Sequence, residues 1–217
     1  MQQIYVHGLG QTAESWNKVD LGTGFDGNRT YLNLADLIHG KDAAYENLYS
    51  AFSDVCDAKE DMLRLCGLSL GGVLALNYAI DHPEKTEALV LVAPQYKMPK
   101  KLLRFQNAVF RLMPNRMFQE MGFKKAGFLK LCSTMMELDF SDSVKKIACP
   151  SLVICGGKDT ANKKAAVELA GLLTHCELQI FDGVGHEVNI EAPEKLGKAI
   201  RGFYLSISNL AIIEGGN

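Results

Sequence analysis

The pentapeptide Gly67-Leu68-Ser69-Leu70-Gly71 is the stretch whose residue types and spacing point most directly to chemistry. It follows an apolar, strand-like run, Met62 to Cys66, and precedes helically spaced residues, so the serine sits where a strand turns abruptly into a helix. At such a corner glycines remove the side chains that would clash, and the hydroxyl is pushed out above the sheet. The helix N-terminus beside it favours negative charge. Gly71, Gly72 and Ala75 are small enough for the helix to lie close on the sheet. The plainer reading makes Ser69 a helix N-cap among packing glycines.

A serine hydroxyl is a poor nucleophile without a general base. Among His7, His39, His82, His175 and His186, the last stands out: it follows the run Leu178 to Phe181 through Asp182-Gly183-Val184-Gly185 and precedes the final helix. His39 and His82 fit turns or helix ends, and His175 the surface. A carboxylate must then hold the imidazole tautomer and stabilise its cation. Asp159, leaving the run Leu152 to Cys155 through Gly156-Gly157-Lys158, meets that demand. Asp182 competes, but it would have to fold back within one short turn. An oxyanion needs preorganised N–H donors. The backbone of Leu70 supplies one; a second is expected from the loop His7-Gly8-Leu9-Gly10-Gln11, with Leu9 as donor and Gly10 next in line. Gly8 and Gly10 let this backbone approach a ligand.

These residues need a scaffold that brings them to one edge. Strand-length apolar runs recur at Ile4 to Val6, Met62 to Cys66, Ala88 to Ala93, Leu152 to Cys155 and Leu178 to Phe181, and their lengths suit strands buried on both faces. Helical spacing covers Asp42 to Lys59, Leu70 to Ile80, Asn162 to Leu173 and Pro193 to Ser208, the last with proline in its first turn. Alternation of the two predicts a mainly parallel sheet with helices on both faces. The glycine-rich segment Leu21 to Thr30 reads as a loop before a weaker strand near Tyr31 to Leu34, and the tail Leu210 to Asn217 as frayed.

Composition sets the outer limits. A chain of 217 residues, 47% hydrophobic and 22% charged, matches an ordinary globular protein and excludes disorder, collagen-like repeats and a disulfide scaffold. Its net charge of −2 creates no global field for nucleic acid or a membrane, so neither is an expected partner. No apolar run is long enough to span a bilayer and no export signal is visible, which makes a cytoplasmic location the expectation. The six cysteines, without C-x-x-C spacing, read as buried small hydrophobes.

One stretch breaks the alternation. Lys97 to Lys130 holds nine basic residues against the single acid Glu120, a local charge of +8, which leaves −10 for the rest of the chain. Six of the eight methionines fall between Met98 and Met136. Residues 97–143 therefore read as a helical lid inserted in a core formed by 1–96 and 144–217, and Met113, Met117 and Phe118 are candidates to line an apolar acyl pocket. The basic charge could favour anionic acyl groups or a coenzyme A thioester. A basic solvated face over a methionine-rich core is the plainer account.

The ordered set His7-Gly8-Leu9-Gly10, Gly67-Leu68-Ser69-Leu70-Gly71, Gly157-Lys158-Asp159 and Gly183-Val184-Gly185-His186 resembles the α/β-hydrolase fold superfamily, in chain order Ser, Asp, His. The resemblance spans residues 4 to 207. It implies Ser69 as nucleophile, His186 as base, Asp159 as its orienter, and Leu9 and Leu70 as oxyanion donors. Small lactonases, carboxylesterases and thioesterases with short caps are most similar. The implied reaction is hydrolysis of a small ester, thioester or lactone through an acyl-enzyme, with no cofactor and no metal. The same triad could serve a C–C bond hydrolase or a cofactor-free haloperoxidase. Two departures stand out. The chain starts at the strand before the His-Gly loop, so about six strands are expected instead of eight. The position three residues after the acid, where the family often has proline, is Asn162.

Two rivals remain. Gly8-Leu9-Gly10-Gln11-Thr12-Ala13 fits a dinucleotide-binding G-x-G-x-x-A, with Asp26 as the acid, although no strand ends at Asp26. A non-catalytic ligand- or partner-binding protein could share the same fold. Gly156-Gly157-Lys158 lacks the earlier glycine of a P-loop, and His186-Glu187-Val188-Asn189-Ile190 lacks the second histidine of a zinc protease.

Overall fold

A computed structural model describes residues 2–22 and 28–214, with side chains described through residue 208. Asp26 and residues 215–217 lie outside the described residues. The strands are β1 (Gln2–Val6), β2 (Arg29–Leu32), β3 (Leu63–Leu68), β4 (Thr86–Val92), β5 (Ser151–Gly156) and β6 (Cys176–Phe181). The helices are α1 (Leu34–Leu37), α2 (Tyr45–Asp57), α3 (Leu70–Asp81), α4 (Lys100–Leu112), α5 (Asn115–Glu120), α6 (Lys125–Met135), α7 (Lys163–Leu172), α8 (Val188–Glu191) and α9 (Pro193–Glu214). The tail expected to fray from Leu210 instead continues α9 as far as Glu214. No helix among the described residues is long and apolar enough to cross a membrane.

All six strands pair in parallel, in the order β2-β1-β3-β4-β5-β6. Successive side chains of a strand point to opposite faces, and here both faces are covered. Leu65, Leu89, Leu91 and Val153 pack with residues of α2, α3 and α7, whereas Cys66, Val90, Leu152 and Ile154 pack with Trp16 and with Leu196, Ile200 and Tyr204 of α9. That double burial is why the central strands read as unbroken apolar runs. The edge strands differ: β6 exposes Glu177 and Leu178, and β2 exposes Tyr31. Cys56, Cys66, Cys132 and Cys155 are buried, while Cys149 and Cys176 are half-buried. Burial pushes the thiols of Cys132 and Cys155 up to about 12 and those of Cys149 and Cys176 up to about 11.

From β1 the chain builds outward to β2, then crosses back to β3 and builds the other way. Where strand order reverses, the loops leaving the carboxyl ends diverge and open a crevice. The loop after β1 and the turn after β3 therefore flank one cleft. Helices α4, α5 and α6 lie between β4 and β5, and a bridge between Lys97 and Asp139 joins the two ends of this segment.

Candidate active site

Ser69 adopts φ 53° and ψ −113°, a backbone conformation that costs a non-glycine residue about 1–3 kcal/mol. Its N–H donates to the Val92 carbonyl at 2.9 Å, and its own carbonyl accepts from Val73 at 3.0 Å to start α3. A Cβ on Gly67 would lie 2.2 Å from the Gly71 carbonyl oxygen, and one on Gly71 would lie 2.3 Å from the Val6 carbonyl oxygen. Both glycines are thus required by backbone packed on backbone. The Ser69 hydroxyl makes no capping hydrogen bond, which removes the N-cap reading. Ala93, at φ 47°, is a second strained non-glycine residue, following the Val92 carbonyl that holds Ser69.

His186 Nδ1 lies 2.7 Å from Asp159 Oδ2. A carboxylate only accepts, so Nδ1 carries the proton and Nε2 is left as the basic nitrogen. Three strand spacings of about 4.8 Å separate β3 from β6, so His186 must reach back across the sheet. It does so because its loop crosses the end of β5: a Cβ on Gly156 would lie 1.9 Å from the Gly185 carbonyl oxygen. Lys158 N–H holds the same loop through the Val184 carbonyl at 2.9 Å. Asp182 is exposed, beside Gly157.

Asp159 is buried, and Asn162, noted in the sequence only as a departure from the proline usual there, satisfies it. Asn162 Nδ2 donates to Oδ1 at 2.9 Å and Oδ2 at 2.8 Å, and the Asn162 backbone N–H donates to Oδ1 at 3.2 Å. Gln95 Nε2 donates to Asn162 Oδ1 at 2.7 Å, which fixes the amide with its nitrogen toward the carboxylate. Burial pushes the Asp159 carboxyl up, but the hydrogen bonds from His186 and Asn162 outweigh it, and the net shift is downward. The acid is held ionised beside the imidazole.

The loop after β1 is pinned by His7, also unassigned from sequence. Its Nε2 accepts from the Leu34 N–H at 3.1 Å, so Nδ1 carries the proton and donates to the Gly8 carbonyl at 2.8 Å. Burial lowers the His7 pKa and outweighs the Gly8 carbonyl and Asn33 Oδ1, both of which favour the protonated ring, so the ring stays neutral. Gly8 lies against Ser69, since a Cβ there would sit 3.4 Å from Ser69 Cβ. The buried amides of Gln11 and Asn189 exchange hydrogen bonds at 3.2 and 3.1 Å, and Gln11 also donates to Glu187 at 3.0 Å. This pair ties the loop of Leu9 to the segment following His186. The Leu70 amide, first in α3, is among the four that no intrahelical carbonyl can accept.

Ser69, Asp159 and His186 line one cavity of about 470 Å³. Its walls are mostly apolar, including Val73, Met98, Leu102, Phe105, Val109 and Met135, and among the described residues no lysine or arginine lines it. Leu9, Gly10, Met113, Met117 and Phe118 line a different cavity, of about 640 Å³. Here the structure departs from the sequence reading. Phe118 is buried in an aromatic cluster with Phe110 and Phe128, and Met117 is exposed. The residues between β4 and β5 that share the cavity of Ser69 are instead Met98 and Pro99, the start and middle of α4, and Met135 of α6.

A family model described as serine aminopeptidase, S33, matches residues 34–137. A monoacylglycerol lipase of Xenopus laevis is 25% identical over 67% of this chain and 55% of its own length, so the chain spans about half of that relative. A protein of Bacillus subtilis named as a putative 2-succinyl-6-hydroxy-2,4-cyclohexadiene-1-carboxylate synthase is 24% identical over 94% of this chain and 90% of its own. The solved structure of a thermophilic esterase from Thermogutta terrifontis superposes with a TM-score of 0.76 at 17% identity, covering 95% of this chain and 90% of the other. The six-stranded parallel sheet with its flanking helices is the α/β-hydrolase fold. These three similar proteins are a lipase, a putative synthase and an esterase, each at 25% identity or less.

Proposed function

We propose that the chain is a serine hydrolase that cleaves a carboxylic ester, thioester or lactone with an uncharged, apolar acyl part. The observation that carries this reading is a strained Ser69 sharing one apolar cavity with a His186–Asp159 pair at 2.7 Å. Ser69 Oγ attacks the carbonyl carbon while His186 Nε2 takes its proton, and the N–H groups of Leu9 and Leu70 hold the oxyanion. Collapse breaks the bond to the leaving group, which receives the proton from His186. Water activated by the same nitrogen then releases the acid. The lining of the cavity argues against an anionic acyl group, because the basic residues of the lid lie outside it. Residues 97–143 act as the cap over the core formed by 1–96 and 144–217.

The test is turnover of p-nitrophenyl acetate and butyrate. Ser69→Ala and His186→Ala should each abolish most of it, and the double variant should lose little more, because the two act as a unit. Turnover by Ser69→Ala equal to that of the unaltered chain removes Ser69 from the reaction.

A further inference from the structure

We infer that α4 is a docking surface for an anionic lipid interface, which it meets so that apolar chains reach the cavity holding Ser69. The expectation of no membrane partner rests on the net charge of the whole chain, but the charge is unevenly placed. Residues 97–130 carry +8 and the remainder −10, a dipole that turns the lid toward a negative surface.

The helix itself is amphipathic and only partly covered. Leu103, Asn107 and Phe110 face the body of the protein. On the outer side Phe105 is 70% and Leu112 87% exposed, far more than large apolar side chains in water require. Leu102, Phe105 and Val109, also exposed, line the cavity that contains Ser69, so an apolar path runs from the outer ridge to the site. Helix α4 carries Lys100, Lys101, Arg104 and Arg111 and no acid. Lys100 pairs with Glu137, whereas Lys101, Arg104 and Arg111 form no ion pair among the described residues. Arg104 and Arg111, with Ser133, border a cleft of about 260 Å³. Protruding apolar side chains flanked by unpaired cations match a bilayer boundary, where the former enter the acyl region and the latter meet phosphate. The inference is independent of the proposed reaction.

Co-sedimentation of the full chain with vesicles tests it. Vesicles of phosphatidylcholine with phosphatidylglycerol should bind the chain, and added salt should release it. Each cation near such a surface strengthens binding about fivefold, so Arg104→Gln with Arg111→Gln should weaken it about 25-fold. Leu112→Ser should also weaken it, and both variants should keep turnover of dissolved p-nitrophenyl acetate. Ser69→Ala should bind as the unaltered chain does, so docking and catalysis are read separately. Absence of binding to the mixed vesicles, equal binding by the variants, or a dimer that Leu112→Ser dissolves would overturn the proposal.

Discussion

Asn162 donates from one amide nitrogen to both carboxylate oxygens of Asp159, at 2.9 and 2.8 Å, and receives the Gln95 amide on its own oxygen at 2.7 Å. A buried carboxylate that faces only one imidazole would be short of donors. Asn162 makes up the shortfall and leaves Oδ2 in line with His186 Nδ1.

Asn162→Leu should therefore lower kcat about 10- to 100-fold with little change in KM, from the loss of hydrogen bonds to a charged group worth about 1.5–3 kcal/mol. Without those donors burial weighs more heavily on Asp159, and its carboxyl takes a proton at higher pH. The acid limb of the pH–rate profile should move upward. The native carboxyl is shifted downward, so its contribution to stability is complete above the unfolded carboxylate range of about 4 and is lost as pH falls through the folded value. An unmoved acid limb would show that Asn162 does not act through Asp159.

His7 supplies a second pH effect of known sign. Its folded pKa is lowered chiefly by burial, so the unfolded chain binds more protons once pH drops below about 6.5. Stability should fall as the solution is acidified through that range, by at most about 1.4 kcal/mol per pH unit from this residue. His7→Asn should be less stable at neutral pH yet lose less on acidification. Thermal unfolding followed from pH 7 downward compares the two slopes, and parallel slopes would exclude His7 as the source.

Gln11 and Asn189 exchange hydrogen bonds in a buried setting, so removing either leaves one amide group of its partner without its bond, the Asn189 oxygen or the Gln11 oxygen. Gln11→Leu and Asn189→Leu should each cost about 1–3 kcal/mol, and the double variant should cost less than their sum. Both should lower kcat more than they raise KM, since the pair joins the loop of Leu9 to the segment after His186. Urea unfolding of the double-mutant cycle, alongside steady-state kinetics, checks this. Additive losses would mean that the amides act separately.

Glycine substitutions separate a packed turn from an open one. Gly156→Ala would drive its Cβ to within 1.9 Å of the Gly185 carbonyl, so the loop carrying His186 must move and kcat should fall more than 100-fold, on the order of what a misplaced catalytic group costs. Gly171→Ala, in α7 with nothing within 4 Å of the new methyl, should instead stabilise the chain by about 0.5–1 kcal/mol through helix propensity. Melting temperature and turnover of both variants decide the matter.

The parts of this protein legible in its sequence are those specified by residues a few positions apart. The strand runs, the helix after Ser69 and the glycines at 67 and 71 follow from burial and sterics within one element or one turn. The placement of Asp159 and His186 after successive strands follows from the rule that parallel strands deliver their carboxyl ends to one edge. Beyond that reach the sequence was silent or misleading. His7 meets Leu34, Gln95 meets Asn162, and Gln11 meets Asn189 across 178 positions, and no local pattern records such meetings. Met113, Met117 and Phe118 looked like an acyl pocket because they are apolar and lie in the segment between β4 and β5, yet they line a cavity other than the one holding Ser69. Chemical type and spacing determined which side chains this chain offers at one edge, a serine, a histidine and an aspartate, and the sheet that mounts them. Only the packing of distant segments decided which polar groups satisfy one another and which apolar face surrounds the serine, because burial and hydrogen-bond pairing are properties of neighbours in space.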